Sequence, residues 1–435
     1  MNNSIRLGIL GLGTVGTGVV RILERNAALI ERRIGLPLEV RRVAVQDRTK
    51  VRGVSIPDGV LTTDPFEVVR DPDIDIVVEL IGGEDLARDL GLAAISGGKH
   101  LVSANKALLA QHGTEIRHAA RDGGVNLGFE ASVAGGIPII KTIREALAAN
   151  RILSIYGIIN GTSNYILTTM REEARIFDDV LEEAQLAGYA ETDPTFDVGG
   201  IDAAHKLAIL VNLAFGVTAN LSDIYTEGIT EISPIDIEFG REFGYTLKLL
   251  AIAKWSDGAV EARVHPTMIP DTHPIAQVGG VYNAIEIVGD AVGDLMLYGK
   301  GAGEMPTASA VVSDIMDISR ELSTSGESRS PALSPLDGDE GTLKPIESIS
   351  SLYYLRFMVD DQPGVLSQIS GILGRHDISI ESVIQKRRET GSPVPLVVMT
   401  HTAVERHVQE ALSEIDQLPS VSEKAVLIRV ESDKI

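Results

Sequence analysis

Cysteine is absent from all 435 residues, which excludes disulfides, thiolate nucleophiles and thiolate metal sites. Basic residues are in deficit: 39 Lys and Arg stand against 61 Asp and Glu, a formal net charge of −22. A surface so acidic repels nucleic acid and anionic membranes, so neither is expected as a partner. A small anion stays possible, because a local basic pocket can hold one. Also missing is any apolar run of the ~18 residues that suggest a membrane span. The start, Met1-Asn2-Asn3-Ser4, enters a strand at once, without the charged and then apolar stretches of an export signal. A cytoplasmic protein is expected. His205, His265 and His273 stand alone without metal-ligand spacing and read as structural.

What is present is ordinary core material, 44% hydrophobic and 23% charged. The length exceeds what one core serves, so about two to four domains are expected. Ile5-Arg6-Leu7-Gly8-Ile9-Leu10 reads as a buried strand, followed by an apolar-periodic helix over 14–33 and a strand over 38–45. Strands over 75–80, 100–103 and 125–129 alternate with helical stretches, one of them from about 107. Such units imply a doubly wound, mostly parallel α/β sheet. From 138 the pattern shifts to helices over 138–149, 177–187 and 202–215, then to Gly-rich strand material over 278–298, an α+β domain. Residues 323–345 have a linker's composition. Beyond them, strand 352–359, helix 365–375, strands 378–385 and 394–400, helix 404–415 and strand 425–430 give a βαββαβ, ferredoxin-like sandwich.

Chemistry enters with Gly11-Leu12-Gly13-Thr14-Val15-Gly16. Gly11 permits the tight turn after the strand, Gly13 lets backbone approach a pyrophosphate, and Gly16 lets helix pack on strand. The helix opening at Thr14 and Val15 offers free N–H groups and a positive dipole end to phosphate. Placed between strand and helix, this is the dinucleotide loop of a Rossmann sheet, and it points to a nicotinamide-dependent oxidoreductase. Asp47, ending the second strand, suits the ribose 2′-hydroxyl of NAD, whereas Arg48 and Lys50 suit the 2′-phosphate of NADP. Both cofactors remain open on these residues.

The middle of the chain reads Gly188-Tyr189-Ala190-Glu191-Thr192-Asp193-Pro194-Thr195-Phe196-Asp197, then Gly199-Gly200-Ile201-Asp202-Ala203-Ala204-His205-Lys206. Asp202 and Lys206 are spaced i, i+4 at the start of an apolar helix and share a face. An acid-rich approach to a buried helix is the setting of a site rather than of a surface pair. These segments, with the glycine loop, Ser103-Ala104-Asn105-Lys106-Ala107-Leu108 and Asn160-Gly161-Thr162-Ser163-Asn164-Tyr165, resemble homoserine dehydrogenase over about residues 4–320.

That resemblance implies reversible reduction of L-aspartate 4-semialdehyde to L-homoserine with NADP or NAD, on the route to threonine, isoleucine and methionine. It implies Lys206 as the general acid, Lys106 near the nicotinamide as a second catalytic candidate, and Glu191 and Asp202 as holders of the substrate's α-ammonium. Ser103, Gly188 and Gly303 match cofactor-side positions. Glu130, Val133, Gly135 and Ile137 match positions that give oxygens, mostly backbone carbonyls, to a monovalent cation, Na+. The C-terminal sandwich resembles an ACT domain, whose ligand loop matches Asp360-Asp361-Gln362-Pro363-Gly364-Val365-Leu366. Backbone at Gly364 and Val365 is then a candidate site for L-threonine as feedback effector.

The expected layout is a dinucleotide-binding domain over 1–137, rejoined by about 305–322, and a catalytic and dimerisation domain over 138–304. A linker over 323–350 and the ACT domain over 351–435 complete it. A homodimer or homotetramer is expected, with no aspartate-kinase region ahead of Met1. Another dehydrogenase of small oxo or amino acids is the nearer rival; a non-catalytic sensor sits badly with Lys106, Glu191, Asp202 and Lys206 all present.

Overall fold

The computed structural model describes residues 4–57, 59–325, 341–386 and 393–431. Much of the expected linker, 326–340, lies outside the described residues. The chain divides into two compact units, one of Met1–Ile159, Asp202–Ile224 and Tyr282–Gly341, the other of Asn160–Ile201, Tyr225–Val281 and Thr342–Ile435.

The first unit holds a parallel sheet of β1 (Ile5–Leu10), β2 (Leu38–Ala44), β3 (Leu61–Thr62), β4 (Ile76–Glu79), β5 (His100–Ser103) and β6 (Leu127–Gly128), ordered β3-β2-β1-β4-β5-β6. The central strands are buried throughout, as a sheet covered on both faces requires. The winding reverses between β1 and β4, and that switch point opens a crevice at the strands' carboxyl ends. Two helices close one face: Thr14–Arg25 packs on Glu304–Ser325, with Val19 and Ile22 beside Val311 and Ile315 in one core. A side chain at Gly18 would put its Cβ 2.9 Å from that of Ala308.

Two expected helices differ. The first, expected over 14–33, breaks at Asn26 into Thr14–Arg25 and Ala27–Ile34; the Asn26 carbonyl accepts from Leu29 and Ile30 N–H and starts a new helix. Asn is a weak helix former that tolerates such off-helical backbone. The helix expected over 138–149 is Ile139–Lys141 running into a π-turn, Thr142–Ala146. The Thr142 hydroxyl donates to Pro138 O at 2.6 Å, and such back-bonding competes with regular helix. The strand material over 278–298 is a hairpin, Tyr282–Gly289 with Gly293–Lys300, beside Ile152–Ile158.

In the second unit, Tyr245–Ser256 and Ala259–Pro270 form a long antiparallel hairpin turning at Asp257 and Gly258, both at positive φ. The C-terminal sheet runs Val426–Val430, Ser350–Val359, Val394–Thr400, Ile380–Gln385, all antiparallel neighbours. Helices Val365–Arg375 and Glu405–Ile415 cover it over a core including Phe357, Ile369, Val398 and Val408, the expected ferredoxin-like sandwich. Its last strand also pairs in parallel with the long hairpin, Thr267 beside Arg429 and Met268 beside Val430.

Candidate active site

The glycine loop sits at the switch point. Gly11 has φ +97, and a Cβ there would lie 2.8 Å from Leu80 O; one at Gly16 would drive into Gly11 O. Only glycine lets β1, β4 and the helix meet this closely. The helix starts at Thr14 with Gly13 as cap, and among the described residues no side-chain cap bond closes that end, which leaves it to a phosphate. Gly11, Gly13, Asp47, Lys50 and Arg52 line a cleft of about 430 Å³ in front of it.

Asp47 is turned inward on its own loop, accepting from Thr49 N–H at 2.7 Å and the Thr49 hydroxyl at 2.6 Å, and these bonds hold its carboxyl below the usual range. Arg48 and Lys50 are exposed. Arg52, which nothing in the sequence pattern singled out, donates to Leu12 O at 3.2 Å, Lys50 O at 2.9 Å and Asp47 O at 2.6 Å. It pins the loop after β2 to the glycine loop.

At the end of β4, Glu79 is fully buried. It accepts from the Ser103 hydroxyl at 2.6 Å and from Ile81 N–H at 2.9 Å; burial outweighs these bonds and pushes its carboxyl up. The Ser103 oxygen accepts from Asn105 N–H at 3.1 Å, and the Asn105 side chain caps the helix Lys106–Asp122 by accepting from Leu108 N–H. Glu79 thus fixes, through Ser103 and Asn105, the point where Lys106 leaves the backbone.

Lys106 meets Asp202. The helix Ile201–Phe215 buries Leu207, Leu210 and Val211 and presents Asp202 and Lys206 one turn apart. One Asp202 oxygen accepts from Lys106 and the other from Lys206 at 2.6 Å. Lys206 also donates to Ile159 O at 2.7 Å. Burial pushes the Asp202 carboxyl up, but the charges of Lys206 and Lys106 overcome it and hold the group well below the usual range. The result is an ionised carboxylate between two ammonium groups, with the Lys106 side chain 36% exposed and that of Lys206 12%.

The remaining expected residues fall in several places. Gly188 and Glu191 lie exposed in the second unit, past the helix Phe177–Leu186. There Asn160 caps the helix Gly161–Glu173 and donates to Asp197 at 2.8 Å, tying the acid-rich loop to the Asn160–Tyr165 segment. In the first unit, Glu130 is buried, its two oxygens accepting from Ile140 and Lys141 N–H; burial, then the nearby Asp314 charge, push it up to about 7. Val133, Gly135 and Ile137 are buried around a turn with Ala134 and Gly135 at positive φ, irregular backbone of the kind that offers carbonyls to a cation. Ile137 O already accepts from Ile139 N–H. Gly303, at φ +115, precedes the helix Glu304–Ser325. Gly364, at φ +98, caps the helix starting at Val365, with no side-chain cap bond among the described residues.

Three family models match the chain: "Homoserine dehydrogenase, NAD binding domain" over residues 11–130, "Homoserine dehydrogenase" over 138–316, and "ACT domain" over 353–420. The homoserine dehydrogenase of Pseudomonas aeruginosa is 49% identical over 431 residues, covering 98% of this chain and 99% of that one. That of Neisseria gonorrhoeae is 46% identical over 430 residues, 98% of this chain and 99% of that one. Among solved structures, a homoserine dehydrogenase from Thiobacillus denitrificans superposes with a TM-score of 0.93 at 48% identity, covering 99% and 98% of the two chains. A hyperthermophilic archaeal homoserine dehydrogenase in complex with NADPH gives a TM-score of 0.61 at 28% identity, covering 72% and 97%.

Proposed function

The chain belongs to the homoserine dehydrogenase family, and from that premise we propose that Lys206 moves the proton of its reaction while Asp202 holds Lys206 and Lys106 in place. The reaction interconverts L-aspartate 4-semialdehyde and L-homoserine. A nicotinamide bound in the glycine-loop cleft supplies the hydride. The chain's part is to give the developing alkoxide a proton, and to take it back in the reverse direction.

An ammonium has three N–H groups, and Lys206 spends two on Asp202 and Ile159 O, leaving the third for a substrate oxygen. The placing of Asp202 between both lysines carries this reading. Lys106 adds a second cation, suited to the substrate carboxylate or to a share in proton transfer. Glu191 and Asp202 are the carboxylates this reading assigns to the α-ammonium. Lys206→Ala should cut turnover by about 10²–10⁴-fold, the worth of a positioned acid. Nicotinamide binding, followed by fluorescence, should stay within about twofold; full turnover would refute the assignment.

On the cofactor, Asp47 is occupied by Thr49 while Lys50 lines the cleft, so the reading favours NADP over NAD. Lys50→Ala should raise KM for NADP more than for NAD. The reading also includes Na+ at Glu130, Val133, Gly135 and Ile137, L-threonine bound at Gly364 and Val365, a homodimer or homotetramer, and a cytoplasmic location. Among the described residues no helix is long and apolar enough to cross a membrane. Threonine titrated against Gly364→Val checks the effector: inhibition should disappear while basal turnover holds.

A further inference from the structure

The C-terminal module carries a buried arginine whose partners lead out of the module. Arg429, on the strand Val426–Val430, is 1% exposed. It holds Glu405 of the module's second helix with two bonds, Nε at 2.9 Å and Nη2 at 2.6 Å, and Tyr353 donates to the same carboxylate at 2.9 Å. Its remaining nitrogen, Nη1, donates to Glu227 at 3.0 Å. The guanidinium lies 4.7 Å from the ring centre of Tyr225, and the Tyr225 hydroxyl donates to the same Glu227 oxygen at 2.8 Å. Arginine suits this post because its fork serves two carboxylates at once while its face lies on a ring.

Glu227 stands in a segment that continues the contact inward. Its N–H donates to Val264 O at 2.8 Å, and Ile229 N–H donates to Val198 O at 2.9 Å. Gly228 packs so closely on Val198 O that a Cβ would collide with it, and a Cβ at Gly200, φ +81, would lie 3.1 Å from Thr226. Residues 225–229 therefore hold the turn 198–200 from two sides. That turn runs directly into the helix bearing Asp202 and Lys206.

We propose that Arg429 and Glu227 are positioning residues for the reaction: the C-terminal module, through this ion pair, sets where the helix carrying Asp202 and Lys206 begins. The inference rests on Lys206 being the proton-transfer group. A short turn with two tight glycine contacts has little slack, so a shift of Glu227 passes to the helix start. A misplacement of about 1 Å in a reacting group is enough to cost up to 10²-fold in rate.

Glu227→Gln is the decisive variant, because it removes the charge that meets Arg429, keeps an oxygen for the Tyr225 hydroxyl, and leaves Arg429 with its bidentate Glu405. The expected result is a three- to tenfold fall in kcat, with KM for the nicotinamide cofactor and the melting temperature unchanged. Glu414→Gln, which breaks the surface pair with Arg375 in the same module, should leave kcat as it was. The same Glu227→Gln change is then made in Lys206→Ala. If Glu227 acts by placing Lys206, the residual turnover does not fall further; an equal fall in both backgrounds, or no fall in the parent, overturns the proposal. Lys206→Ala with full turnover would instead remove the reading beneath it, a result distinguishable from an inert Glu227→Gln.

Discussion

Replacing Asp202 by Asn keeps the shape of the site and removes the anion between its two lysines. Unit charges ~4 Å apart attract by about 4 kcal/mol at an effective dielectric of about 20. Lys106, with a 36% exposed side chain, is screened by water, and its share belongs with the ~0.2–1 kcal/mol of exposed pairs. Lys206, at 12%, pairs with a carboxylate that is 3% exposed, and stripping one side of a buried pair costs about 3–5 kcal/mol. A net loss of about 3 kcal/mol lowers the melting temperature by roughly 6–12 °C. Turnover should fall about 10²-fold, since Lys206 loses its tether. The pH dependence carries a sign. The folded Asp202 carboxyl lies below its unfolded value of about 3.9, so its stabilisation is present above that pH and disappears as pH falls through the lower folded value. The melting temperatures of parent and variant should therefore differ at neutral pH and converge in acid. Calorimetry from about pH 2 to 8, with kcat at neutral pH, measures both. An Asn variant that melts within about 1 °C of the parent at neutral pH and keeps its kcat would refute the reasoning.

Gly16→Ala puts a methyl group into Gly11 O, so the loop must open; nicotinamide affinity should fall at least tenfold while the substrate-side lysines are untouched, which equilibrium binding reads directly. Burial raises Glu130 to about 7 and Asp314 to about 6. A carboxyl with a raised folded pKa contributes stability in full below its unfolded value and loses it as pH rises through the folded one. The parent's melting temperature should therefore fall relative to that of Glu130→Gln between about pH 4.5 and 7.5.

The parts of the site legible in the sequence are those whose chemistry is local. Gly11, Gly13 and Gly16 carry their strand–turn–helix context with them, and Asp202 and Lys206 share one helical turn. Lys106 reaches Asp202 across 96 residues, a meeting that no spacing encodes. Its importance came from resemblance alone. Glu79 was hidden because it ends an apolar strand, and only the fold brings Ser103 to it. Arg52 is one cation among several in a loop until its guanidinium is seen on Leu12 O. The hairpin over 245–270 gave no alternation because both its strands are buried on nearly every residue. The helix Gly161–Glu173 opens on Gly-Thr-Ser-Asn, residues that read as loop unless Asn160 is recognised as a cap.

The packing of Thr14–Arg25 on Glu304–Ser325 has a further consequence for how the protein comes to exist. Arg21 and Glu304, which pair across that contact, are 283 residues apart. At about 5–20 residues per second, a ribosome needs roughly 15–60 s to deliver the second helix after the first. Throughout that interval Val19 and Ile22 lack their cover, although the cofactor loop beside them is already synthesised. The nascent enzyme thus carries an apolar strip until translation is three-quarters done, a natural hold for a chaperone and a point where slow synthesis invites aggregation.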